Sequence, residues 1–145
     1  MKNRAGFTLI EVMIVVCIIG ILGAVSWPYY KGHIVKARLT EVERSMMVIK
    51  SAVSSYYGET NGLWPACGNI GEISSSLGVS MAAVDRVSSG TIQNNGVITL
   101  TIQYIDPLVD GESLLLMPSD PGDGSIRWTW GWSVGFPVHL RPKGN

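Results

Sequence analysis

Glu11 is the one charged side chain between positions 7 and 30, inside the 21-residue run FTLIEVMIVVCIIGILGAVSW. A carboxylate in a bilayer costs about 2.5–3.5 kcal/mol on insertion scales, so an acid in such a run needs a functional reason. Elsewhere the sequence offers little chemistry. It holds no Ser/His/Asp arrangement, no glycine-rich phosphate loop and no Cys/His zinc spacing. His33 lies beside Lys31 and Lys36 with Ala37 at the i+4 position, and His139 has no catalytic company. Asp120 and Asp123, in PSDPGDG, are the weak calcium candidates; Asp in a Pro/Gly setting also simply forms turns. Trp128, Trp130 and Trp132 alternate along one segment, either as a core layer or as a sugar-binding platform. No cofactor is implied.

The apolar run must be positioned by a helix. Residues 7–27 make roughly 30 Å at about 1.5 Å per residue, enough to cross a bilayer. A short basic stub carrying Lys2 and Arg4 precedes it, which places that end in the cytoplasm and the remainder outside. An ordinary secretory signal, cut near Ala24-Val25-Ser26, is the competing reading. The run is longer than the usual apolar region of such a signal, and it carries an acid near its start; both count against cleavage there.

Gly6-Phe7-Thr8-Leu9-Ile10-Glu11, followed by an unbroken apolar helix and Pro28, resembles the class III signal of type IV pilins. The resemblance implies that prepilin peptidase cuts between Gly6 and Phe7 and methylates the new Phe7 amine, so that the apolar helix is kept. It also implies that Glu11 meets the Phe7 amine of a neighbouring subunit in a growing filament. One helical turn separates the two residues, so they can also interact within one chain. In a low-dielectric bundle such pairing favours one axial register. Gly20, Gly23 and Pro28 interrupt the outer end of the helix, and the resemblance implies local melting there during assembly. Trp27, Tyr29 and Tyr30 fall where interfacial aromatics belong.

Beyond Pro28 the pattern becomes periodic. Val35, Leu39, Val42, Met46, Ile49, Val53 and Tyr56 recur at alternating spacings of four and three, one apolar stripe on a helix ending near Gly58. Residues 58–90 are rich in Gly, Ser and Asn and read as a long loop with a helical turn near 81–84, with Trp64-Pro65 as a packing anchor. Strand patterns follow at 98–104, 112–117 and 126–134, joined by turns at Asp106-Pro107, Asp110-Gly111 and 119–124. The expected fold is α+β: a long N-terminal helix, half transmembrane and half amphipathic, packed on a small antiparallel sheet of three or four strands. The division is 1–6 leader, 7–30 transmembrane and assembly helix, 31–57 amphipathic helix, 58–96 loop between helix and sheet, and 97–145 sheet and C-terminal loop.

The C-terminal region also looks like that of type IVa pilins, where a W-x-C begins a disulfide loop. Here Trp130 stands where the first cysteine is expected, and no cysteine follows Cys67. Cys17 cannot substitute, being some 60 Å of helix from position 57. The C-terminal loop must be held by packing and by Pro137 and Pro142.

Composition agrees with this division. Eleven basic side chains balance eleven acidic ones, which gives no footprint for nucleic acid as a dedicated ligand, and two cysteines exclude a disulfide scaffold. The charged fraction of 15% is low because the apolar helix dilutes an ordinary soluble head. The resemblance implies a non-enzymatic subunit whose partners are other pilin subunits, prepilin peptidase and inner-membrane assembly machinery. It would sit in the inner membrane and then in a surface filament, with adhesion, twitching motility or DNA uptake as family roles. A minor pilin or type II secretion pseudopilin shares every N-terminal feature. A membrane-anchored sugar-binding module is the reading from another class.

Overall fold

The structure, a computed structural model, describes residues 6–81, 84–122 and 124–142. Helix α1 runs from Leu9–Glu59 and is shared by two units that divide after Val35. In the first unit none of residues 6–33 is buried, and apolar side chains such as Leu9, Ile10, Val16 and Leu22 are more than half exposed.

In the second unit the periodic stripe becomes the core. Leu39, Val42, Met46, Ile49 and Val53 are 1% exposed or less, because residues three and four apart share one helix face. Each such side chain contributes about 1.5–3 kcal/mol on burial. The facing layer is a four-stranded antiparallel meander in the order β1-β2-β3-β4, with β1 Val87–Ile92, β2 Ile98–Ile102, β3 Ser113–Ser119 and β4 Arg127–Trp132. Ile98 pairs with Leu116 and Leu100 with Leu114, so the alternating apolar residues of the two central strands meet the stripe. All four are fully buried. The fold is α+β, with a long N-terminal helix packed on an antiparallel sheet.

The stretch expected to be a loop over 58–96 contains regular structure. Helix α2, Ile70–Leu77, starts at Asn69, whose side chain accepts the Glu72 N–H at 2.9 Å while Glu72 accepts from Asn69 Nδ2 and the Gly68 N–H. Strand β1 escapes a period-two reading because its pairing slips by one residue between Val87 and Ser89. The slip turns both Val87 and Gly90 inward, leaving Ser88 and Ser89 outside. The helical turn falls at Val84–Arg86; of the other residues expected in that turn, Met81 is not helical, and 82 and 83 lie outside the described residues.

Two further details differ from the alternation. Strand β2 stops at Ile102, and Tyr104, at φ +55°, turns out to 76% exposure rather than continuing the inner face. The three tryptophans do share the inner face, since Trp130 and Trp132 pair with Leu116 and Leu114. None is fully buried, however, because β4 is an edge strand. Trp64 is an anchor: its ring lies 4.0 Å from Tyr57, meets Trp128 edge-on at 6.1 Å, and fills the space a Cβ on Gly96 would need.

The C-terminal loop is closed without a disulfide. Phe136 is 1% exposed, and Leu140 and Pro142 are buried. Arg141 donates from Nε and Nη2 to the Phe136 carbonyl at 3.3 and 3.1 Å, with its guanidinium 4.8 Å from the Trp132 ring centroid. Ser133 donates to Glu112, whose carboxylate occupies the space beside Gly135.

One charged group opposes this packing. Glu43 is half-buried on α1, and loss of solvent raises its carboxyl pKa against the opposite pull of Lys36. A carboxyl whose folded pKa exceeds its unfolded pKa weakens the fold as pH rises through that interval. Glu43→Gln is therefore expected to raise the thermal midpoint at pH 7, with the gain vanishing near about pH 3, where the acid is neutral in both states. Melting curves of the two chains at both pH values check this; an unchanged midpoint at pH 7 refutes it.

Candidate functional site

Helix α1 begins where backbone chemistry lets it. Thr8 precedes the first helical residue, and its Oγ1 accepts the Glu11 N–H at 3.4 Å. Glu11 replies with Oε2, which accepts both the Thr8 N–H at 2.9 Å and the Thr8 hydroxyl at 2.8 Å. This is a reciprocal capping box, T-x-x-E, satisfying donors that a helix start leaves unpaired. Its signal is present in the sequence as Thr8 followed three residues later by Glu11, though the isolation of the acid overshadows it. Both bonds converge on one oxygen, and among the described residues nothing bonds Oε1.

Gly6 and Phe7 lie before the helix, both exposed, with Phe7 at 81%. The N-terminal end of a helix carries about half a positive charge, so a free amine at Phe7 would face a like-signed dipole. Glu11 is the acid in the first turn that offsets it.

The helix continues through Gly20, Gly23 and Pro28. A methyl group added at Gly20 or Gly23 would meet no neighbouring side chain within 4 Å, and Pro28 denies the Ala24 carbonyl its usual donor. An 18-residue stretch of α1 reaches a mean hydropathy of 2.7 with none of it buried. Lys31 Nζ sits 5.7 Å from the centroid of the Trp27 ring, a cation against an interfacial aromatic.

The remaining candidates are dispersed. Asp120 Oδ1 accepts the Gly122 N–H at 2.8 Å and Oδ2 accepts from the Tyr57 hydroxyl at 3.2 Å, while Asp123 lies outside the described residues. Among the described residues no group of three or more His, Cys, Asp or Glu side chains is placed to hold a metal. Cys17 is exposed on α1; Cys67 is buried, bridged by its backbone to Ile92, and burial pushes its thiol pKa up.

Residues 1–27 match the family model of the prokaryotic N-terminal methylation motif. Over 127 residues the chain is 37% identical to the fimbrial protein EcpC of Eikenella corrodens, covering 86% of this chain and 80% of the relative. It is 35% identical over 133 residues to the type IV major pilin protein PilE of Neisseria gonorrhoeae, covering 90% and 76%. Prepilin peptidase-dependent protein D of Escherichia coli K12 is 32% identical over 130 residues, covering 89% and 83%.

Proposed function

The chain belongs to the type IV pilin family and is a structural subunit rather than an enzyme, and from that premise we propose how it matures and assembles. Prepilin peptidase removes residues 1–6 by cutting between Gly6 and Phe7, and the new Phe7 amine is methylated. The N-terminus starts in the cytoplasm with the apolar first part of α1 in the inner membrane; the subunit then leaves the bilayer for a surface filament.

Assembly proceeds through the exposed apolar part of α1, which nothing covers among the described residues. The observation that carries the reading is Glu11, alone in that surface and using only one of its two oxygens on Thr8. Oε1 then receives the Phe7 amine of the adjacent subunit. A cation paired there relieves both the buried acid and the amine's unfavourable position at its own helix start. Gly20, Gly23 and Pro28 are where the helix opens during packing, since two glycines and a missing donor make that stretch the cheapest to unwind. Adhesion, twitching motility or DNA uptake are the filament's uses.

Mass spectrometry of sheared surface material is expected to find a mature N-terminus at methylated Phe7. A start at Trp27 would instead mean an ordinary exported protein and would refute the proposal. Methylated Phe7 confined to the membrane fraction would reassign the chain to a minor pilin or a secretion pseudopilin.

A further inference from the structure

Four apolar side chains stand out from one end of the sheet. Tyr104, Leu108, Val134 and Val138 are each at least 66% exposed, and Val134 is fully so. The first two belong to the connection between β2 and β3, the other two to the C-terminal loop that follows β4. These segments meet: the Ser133 N–H donates to the Ser113 carbonyl at 3.0 Å, and the Ser133 hydroxyl donates to the Glu112 carboxylate. We propose that this end of the head docks on a phospholipid bilayer before assembly, its four apolar side chains entering the interfacial layer. The proposal rests on the reading of α1 as a membrane anchor.

Chain length selects the bilayer as the occupant. Tyr30 closes the apolar run, and Arg38, eight residues on, donates from Nη1 to the Ile105 carbonyl at 3.1 Å. Eight residues rise about 12 Å as a helix and span at most about 29 Å when extended. That bound holds for any angle between the two units. The connection carrying Tyr104 and Leu108 therefore stays within reach of the bilayer surface for as long as the subunit is anchored.

The connection is ordered in advance. Asp110 Oδ1 accepts the Ile105 and Asp106 N–H groups at 2.8 and 3.3 Å, and Asp106 Oδ1 accepts the Leu108 N–H at 3.0 Å. Both acids are thereby turned onto the loop's own backbone, and little conformational entropy remains to be lost on docking. Tyr104 holds φ +55°, a left-handed conformation that strains a residue other than glycine, yet its ring is left outside. So exposed a ring gains little from the head itself. At a bilayer interface it places its body among acyl chains and its hydroxyl among headgroups.

Shape points the same way. A stable protein interface needs a closely packed core of matched contour, which separately projecting side chains do not offer. A fluid interface accepts them without a matching surface.

The test places the full chain, one copy per disc, in phosphatidylcholine nanodiscs with and without phosphatidylcholine spin-labelled near the top of its acyl chain. Methyl line widths are read by NMR. Those of Leu108, Val134 and Val138 are expected to broaden with the label, while Ile92 and Ile98, paired at the opposite end of the sheet, stay sharp. Combining Leu108→Asp with Val134→Asp is expected to abolish the broadening at Val138. Both positions are exposed, and a matching melting curve confirms that the variant folds.

Sharp methyls at all three positions, or undiminished broadening at Val138 in the variant, would overturn the proposal. So would chemical-shift changes at these methyls confined to discs holding two copies, which would make this end a contact between subunits. Ile14 and Ile18, on the apolar run, report the anchor in the same spectra. If they broaden while the head stays sharp, docking alone fails; if they too stay sharp, the anchored reading fails with it.

Discussion

Glu11→Ala is expected to leave cleavage and methylation at Phe7 unchanged and to abolish surface filaments. Gly6 and Phe7, between which the proposed cleavage falls, lie outside the helix that Glu11 caps. Two losses compete to explain an assembly defect. Losing the capping interaction costs about 0.5–2 kcal/mol of helix stability. Leaving the neighbouring Phe7 amine unpaired in a low-dielectric bundle costs more, since breaking a buried pair costs about 3–5 kcal/mol. The second should dominate.

Glu11→Gln separates them. A glutamine at that position still accepts the Thr8 N–H and preserves the helix start, but carries no charge. It is expected to fail in assembly as alanine does, whereas Thr8→Val, which loses only the hydroxyl, is expected to assemble. Filament yield by electron microscopy, beside the processed fraction by mass spectrometry, decides it. Normal filaments from Glu11→Gln would sink the charge-pairing account.

The largest stability effect belongs to Phe136. It is the bulkiest fully buried side chain in the head and closes the C-terminal loop. Phe136→Ala is expected to cost about 3–5 kcal/mol, through lost transfer energy plus the cavity left behind. Against a total of about 5–15 kcal/mol for a domain, that is a large fraction, and the thermal midpoint should fall by about 15 °C or more. Arg141→Met keeps much of the stem over Trp132 but removes both bonds to the Phe136 carbonyl and the cation, and should cost about 1–3 kcal/mol. Calorimetry of the full chain in nanodiscs measures both. A Phe136→Ala midpoint within a degree or two of the parent would mean that the loop is held elsewhere.

Periodicity makes most of this fold legible. The stripe from Val35 to Tyr56 has helical spacing with no interruption, and the alternations in β2 and β4 are regular enough to assign a face. What escapes does so for local reasons. Strand β1 reads as turn material because Ser88-Ser89-Gly90 coincides with a bulge, which breaks the period of two where apolar signal is already sparse. Helix α2 buries only Ile73 and rests on the Asn69–Glu72 cap, so its signal is a pair of polar residues within a Gly/Ser-rich stretch.

Alternation puts the tryptophan layer on the correct face but overstates its burial, because it reports a side and not a strand's place in the sheet. At the N-terminal site the position of Glu11 is evident from sequence, whereas its bonds to Thr8 emerge only with the helix start in place. The Tyr57–Asp120 pair, sixty-three residues apart, leaves no local trace at all.

Arg141, Phe136 and Glu112 give the loop closure a chemistry that needs no thiol oxidation. The chain's two cysteines are both free, one on the apolar helix and one inside the head. The head can therefore reach its final form without an oxidoreductase and keep it in a reducing environment, where a disulfide-closed loop would be vulnerable.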